Sequence, residues 1–189
     1  VYSQDQQEAI THFRGVSAAT KLPVMIYNNR MAYKVDLTPA SFAQLSDVKN
    51  IIAVKESSHD SRRMTDMINT CGERYRMFCG VDDLVLENVL FGAVGWVAGL
   101  VNSFPRESVT LFELAKNGEV DKALQLYRWF MPLLHLDVDV KLVQMIKLAN
   151  QIMGEGTEWV RGPRMVLEGE ERRSVIEVVE TALNNRPNL

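Results

Sequence analysis

Cysteine, histidine and unbalanced charge are all scarce in this chain. Its 189 residues hold two cysteines, three histidines and 21 basic against 24 acidic side chains, a formal net charge of −3. That near balance leaves no global positive field to gather the phosphates of a nucleic acid or an anionic membrane, so neither partner is expected. Cys71 and Cys79 are too few for a disulfide framework and fit neither a zinc knuckle nor a redox pair. Both are expected to be packing thiols of a reducing, cytoplasmic compartment. His12, His59 and His135 are scattered, with no HExxH and no second ligand at helical spacing, and no metal is expected. No GxGxxG fingerprint occurs, which argues against a dinucleotide. The longest apolar stretch, Val89 to Val101, is broken by three glycines and falls short of the roughly 18 to 20 residues that span a bilayer. No basic segment followed by an apolar one opens the chain, so no signal peptide is expected, and the start resembles the middle of something longer.

What is present is 47% hydrophobic and 24% charged, the balance of an ordinary globular protein. Its periodicity alternates. Ser3-Gln4-Asp5-Gln6 has the spacing of a capping box, and Ala9, Ile10, Phe13 and Val16 predict a helix over 5–20. Val24 to Tyr27 is a short apolar run without alternation, expected as a strand buried on both faces. Thr38-Pro39 opens a short helix through Phe42 and Leu45. Ile51–Lys55, Tyr75–Cys79 and Gly95–Val101 predict three more strands. They are followed by helices at 61–71 (ended by Gly72), 84–91, and from Ser103-Pro105 to Gly118. From 120 onward only helical stretches remain: 119–131 with a break at Pro132, 139–152, and 169–184. Four strand–helix units in a row argue for an α/β parallel sheet, closed into a barrel or open and doubly wound. They are followed by a helical extension without an intervening linker.

Lys55 ends an otherwise apolar strand, IIAVK. Reactive groups gather at the C-terminal ends of parallel strands. Partial desolvation there lowers an amine's pKa and makes it a nucleophile toward a carbonyl, the start of a Schiff base. The competing reading is a lysine snorkelling into solvent, and position alone favours neither. Tyr27 ends the preceding strand, where a phenol near an amine can pass protons as carbinolamine and imine interconvert; a plain structural tyrosine is the alternative. Asp82 and Asp83 follow the glycine turn at Gly80, one expected to cap a helix, the other available to orient a substrate hydroxyl or amine. Gly92, Gly95 and Gly99 permit close approach of backbone and ligand.

Taken in order on successive strands, Tyr27-Asn28-Asn29, Val54-Lys55-Glu56-Ser57-Ser58, Phe78-Cys79-Gly80-Val81-Asp82-Asp83 and the run from Gly92 to Pro105 closely resemble the dihydrodipicolinate synthase and N-acetylneuraminate lyase family. Val140-Lys141 and Arg161-Gly162-Pro163 extend the likeness over essentially the whole chain. The resemblance implies a TIM (β/α)8 barrel with a C-terminal helical bundle. Residues 1–118 would be the last four βα units and 119–189 a helical extension packed on them. It implies that Lys55 forms an imine with a 2-oxo acid or cyclic imine carboxylate, that Tyr27 shuttles protons, and that Gly80, Asp82, Val97 and Gly99 border the substrate. No cofactor or metal is implied, and a homodimer or tetramer is.

Arg30 stands where the family commonly has proline, and Ala32 where dihydrodipicolinate synthases carry an arginine that helps hold a substrate carboxylate. The segment Ala32–Leu37, with VKESS and GWVAGLVN, looks more like the branch that deaminates a pyrroline hydroxycarboxylate in hydroxyproline catabolism. That chemistry would attach Lys55 to C2, expel ammonia, lose water through an enamine and hydrolyse to an oxoglutarate semialdehyde. Dihydrodipicolinate synthase or another 2-oxo acid aldolase is the alternative activity. A full barrel needs eight βα units and about 250 residues; four leave two sheet edges and one apolar face open. The chain is therefore expected to be part of a longer protein. A non-catalytic half-barrel serving assembly or regulation is the reading from another class.

Overall fold

The structure, a computed structural model, describes residues 5–188, so the expected Ser3 cap lies outside the described residues. The capping box that does form is set two residues later. Asp5 accepts from Glu8 N at 2.7 Å and Glu8 accepts from Asp5 N at 3.1 Å, satisfying two orphan amides at the start of helix α1 (Gln6–Ala18).

Four parallel strands follow in sequential order: β1 (Val24–Asn28), β2 (Ile51–Glu56), β3 (Arg76–Cys79) and β4 (Gly95–Trp96). Between them run α2 (Arg30–Tyr33), α3 (Pro39–Gln44), α4 (Arg62–Cys71) and α5 (Val85–Leu90). After β4 come α6 (Pro105–Lys116), α7 (Val120–Leu134), α8 (Leu142–Ile152) and α9 (Gly169–Asn184). This is the partial TIM-barrel architecture that the family resemblance implies, one of the two that the alternation left open. Thr38 caps α3 with Pro39 in its first turn, and Gly72 ends α4 at a φ of +58°, where a side chain would be strained. No described helix is long and apolar enough to cross a membrane.

Four local expectations are corrected. The fourth strand is two residues long instead of seven, and a turn of 3-10 helix spans Leu100–Asn102. Strands persist only where a neighbour offers a ladder: β3 ends at Cys79, and the last bond it supplies is Val97 N to Cys79 O at 2.9 Å. Pro132 does not break α7, because it sits in the last turn, where a missing N–H forfeits one bond and fully buried Leu133 and Leu134 hold the chain. Ser103 does not cap α6. Its hydroxyl contacts Asn150 Oδ1, and Phe104 takes the cap position without a side-chain bond. β1 is not buried on both faces: Ile26 and Asn28 are buried while Met25 and Tyr27 are 42% and 37% exposed. Helices cover one face of the sheet, and four strands, half of a barrel, leave the other face open.

The chain divides into two compact units, 1–97 and 98–189. The first is centred on Ile10, Ile26, Phe42, Leu45, Ile51, Val54 and Met64, all at most 2% exposed. In the second, fully buried Phe104 and Phe130 meet edge to face at 5.9 Å and Trp129 stacks on Phe130 at 5.4 Å. Packing groups α6 with the helices after it, whereas counting βα units ends the half-barrel at Gly118.

Candidate active site

Parallel register places Tyr27 beside Lys55, Lys55 beside Phe78, and Phe78 beside Gly95. Residues paired across a sheet share a face, so these four form one row on the open side. Within that row the Lys55 amine lies 4.1 Å from the centre of the Tyr27 ring, a cation–π contact. Lys55 is half-buried, and among the described residues no carboxylate pairs with it. The phenol is fixed from two sides: Asn29 Nδ2 donates to its oxygen at 2.9 Å, and Tyr33 meets its ring edge-on at 5.5 Å. The amine therefore lies on the ring face while the hydroxyl is held by an amide, an arrangement that can present a nucleophile and a proton carrier to one substrate.

Gly80 makes room for that arrangement. A Cβ at this position would lie 2.1 Å from Ser57 Oγ and 2.8 Å from both Cγ and Cε of Lys55, so the lysine chain runs across the space a side chain would fill. Gly95 plays the same part for the Phe78 ring, 2.4 Å from its would-be Cβ. Of the expected site residues, Tyr27, Lys55 and Gly80 thus come together. Val97, just past β4, is 40% exposed. The Asp82 side chain does not join them: it is fully buried and accepts from Trp96 Nε1 at 3.0 Å, tying the turn after β3 to β4. Gly99 belongs to the second unit, where Asp137 and Ile146 occupy the space beside its Cα. Cys79 is buried against Asn88 and the Val81 carbonyl, and burial pushes its thiol up to about 12, which leaves it protonated and unreactive at neutral pH.

On the buried face, directly behind Tyr27 and Lys55, lies a polar cluster that periodicity does not reveal. Asn28 Nδ2 donates to Glu56 Oε2 at 3.0 Å, and Ser58 N donates to Glu56 Oε1 at 2.8 Å. Asn28 also accepts from Leu37 N at 3.0 Å and donates to Asp36 at 3.1 Å, while Arg63 grips Asp36 through both terminal nitrogens at 2.8 and 3.2 Å. Sequence reasoning missed Asn29, Tyr33 and this cluster. Asn29 had a weak signal, two residues beyond Tyr27, whereas Tyr33 and Arg63 arrive from a four-residue helix and a helix 36 positions downstream of Tyr27.

The cluster titrates in two opposing ways. Burial would push the Asp36 carboxyl up, but hydrogen bonds from Arg63 and Asn28 and the charge of Arg63 outweigh it and hold the group below its ordinary value. Stability from Asp36 is present above the unfolded pKa of about 3.9 and is lost as pH falls through the lower folded value. Burial pushes Glu56 up, against the hydrogen bonds from Asn28 and Ser58. Its contribution is complete below about pH 4.3 and is lost as pH rises through the raised folded value. Arg63→Met removes the cation that favours both carboxylates. It should cost roughly 1–3 kcal/mol at pH 7, toward the low end because water still reaches Asp36, and less at pH 3, where the raised Glu56 is protonated and Asp36 is nearer its lowered folded value. Urea unfolding of both proteins at the two pH values checks this, and an equal loss at pH 3 would contradict it.

The sequence model of the dihydrodipicolinate synthetase family matches residues 1–182. A 4-hydroxy-tetrahydrodipicolinate synthase of Geotalea daltonii is 27% identical over 184 residues, 95% of this chain and 62% of that protein. One from Phocaeicola vulgatus is 34% identical over 137 residues, 71% of this chain and 46% of that protein. Among solved structures, the dihydrodipicolinate synthase of Aquifex aeolicus superposes with a TM-score of 0.88 at 25% identity, covering 95% of this chain and 61% of that one. The 4-hydroxy-tetrahydrodipicolinate synthase of Methylacidiphilum fumariolicum SolV gives 0.86 at 26% identity, covering 96% and 62%. The matched part of the chain thus spans between 46% and 62% of the length of these relatives.

Proposed function

Since the chain belongs to the dihydrodipicolinate synthetase family, we propose that it carries the imine-forming half of a lyase that acts on a 2-oxo acid or cyclic imine carboxylate. The observation that supports this reading is the Lys55 amine against the face of Tyr27, in one row of the open sheet. Lys55 adds to the C2 carbonyl or ring imine, and the protonated imine that results stabilises the enamine formed when a C3 proton leaves. Tyr27 carries protons between substrate and solvent, oriented by Asn29.

The favoured substrate is a pyrroline hydroxycarboxylate. Addition of Lys55 to C2 opens the ring, the enamine expels the C4 hydroxyl as water, and two hydrolyses release ammonia and the lysine. The sum is substrate plus one water to an oxoglutarate semialdehyde plus ammonia, with no net oxidation. Arg30 and Ala32, in place of a proline and of a carboxylate-holding arginine, support this branch. The names of the similar proteins favour the second reading, dihydrodipicolinate synthase. Assembly as a homodimer or tetramer belongs to the same proposal.

Cyanoborohydride trapping followed by peptide mass analysis tests it. An adduct on Lys55 with the pyrroline, accompanied by ammonia release, is the expected result. An adduct with pyruvate and no ammonia from the pyrroline supports the synthase reading. A chain left unmodified by saturating amounts of both substrates supports the assembly role.

A further inference from the structure

We infer that Asn28 and Glu56 are positioning residues, whose side-chain hydrogen bond on the buried face of the sheet holds Tyr27 and Lys55 opposite each other on the open face. The inference rests on the imine-forming reading above and assigns a role to a cluster that reading leaves unused. Tyr27 and Asn28 are neighbours on β1, Lys55 and Glu56 on β2, and the two pairs share adjacent register positions. Successive residues of a strand point to opposite faces, so a shift that breaks one pair misaligns the other.

Both side chains are buried, Asn28 at 3% and Glu56 at 2% exposure, and each of their polar atoms has a partner. Apolar residues would fill this space at lower desolvation cost; a fully satisfied polar set instead specifies one geometry. That geometry reaches both segments bordering the site. Through Leu37 and Asp36, Asn28 anchors the loop that follows Tyr27 and carries Tyr33, whose ring contacts the phenol. Through Ser58 N, Glu56 anchors the chain leaving Lys55. Backbone bonds from Ser57 N to Asn28 O at 2.8 Å and Gly80 N to Glu56 O at 2.9 Å close the same rung. A lysine has four side-chain torsions to misplace, so its backbone origin must be held firmly if the amine is to meet the ring.

The test uses the rate and the final extent of cyanoborohydride trapping with a saturating amount of whichever of pyruvate and the pyrroline labels the wild type. The proteins are the wild type, Glu56→Gln, Asn28→Asp and the double variant. Glu56→Gln sets its amide N–H against that of Asn28 or of Ser58, Asn28→Asp sets a carboxylate against those of Glu56 and Asp36, and together they restore the bond between the two positions with donor and acceptor exchanged. Asn28→Asp should trap at least tenfold more slowly and Glu56→Gln several-fold more slowly, each reaching near-stoichiometric labelling of the folded protein, and the double should recover part of the rate, because its new carboxylate still faces Asp36. Irreversible misfolding alone would lower the extent of labelling, and reversible unfolding would slow it only in proportion to the folded fraction read by circular dichroism; a slowing accounted for by either overturns the inference. So does a folded double variant no faster than the slower single one, which also decides the matter if a single variant does not fold. A wild type that traps neither pyruvate nor the pyrroline overturns the imine-forming reading itself, and the positioning role with it.

Discussion

Lys55→Ala is expected to abolish the trapped adduct while leaving the fold intact. The adduct needs an amine in the row formed by Tyr27, Lys55, Phe78 and Gly95, and the substitution leaves none there. The cost in stability should stay within about 1 kcal/mol, because a half-buried side chain without an ion pair is removed and no buried partner is stranded. Lys55→Arg should be equally inactive, since a guanidinium stays protonated and cannot attack a carbonyl. Mass analysis after trapping with pyruvate and with the pyrroline reads the outcome, with urea unfolding as the control for fold. Labelling of another lysine at the wild-type rate would remove Lys55 from the mechanism.

Gly80→Ala is the second large effect, and it comes from space alone. The new methyl would sit 2.1 Å from the oxygen of Ser57, itself 1% exposed, and 2.8 Å from Cγ and Cε of Lys55. Moving only the tip of the lysine does not relieve the clash, because Cγ lies near the root of the side chain. The chain must leave its path across β3, and the amine leaves the tyrosine ring with it. A displacement of this kind costs on the order of a hundredfold in rate, together with about 1–3 kcal/mol of overpacking. Gly15→Ala is the matched control: it lies within α1 with nothing within 4 Å of the added carbon. There the change should stabilise by roughly 0.5–1 kcal/mol and leave trapping untouched. Equal trapping rates for Gly80→Ala and the wild type would show that the lysine has another path.

How much of this was legible beforehand differs from residue to residue. Lys55 stood out because a charge closing an apolar strand is a local anomaly, and Tyr27 because it closes the strand before. Gly80 was noticed as a glycine, but its reason, a lysine chain passing over it, needs coordinates from two strands. Position alone left open which of Asp82 and Asp83 meets a substrate, and only the family resemblance put Asp82 beside it. Its carboxylate instead faces Trp96, 14 residues on, in the helix-covered layer. Seven residues of strand were expected at Gly95, since composition does not show that β3 stops pairing at Cys79.

From the one-dimensional pattern come the order of strands and helices, their parallel α/β class and the two residues that carry the proposed chemistry. All of these depend on spacing within about a dozen residues, where backbone periodicity alone sets which side chains share a face. Register between strands, the burial of Asn28 and Glu56 behind the reactive pair, the open face in front of it and the empty space at Gly80 were decided only by tertiary structure. Each is a contact between segments 17 or more positions apart, chosen by how whole elements pack, and no local pattern encodes that choice.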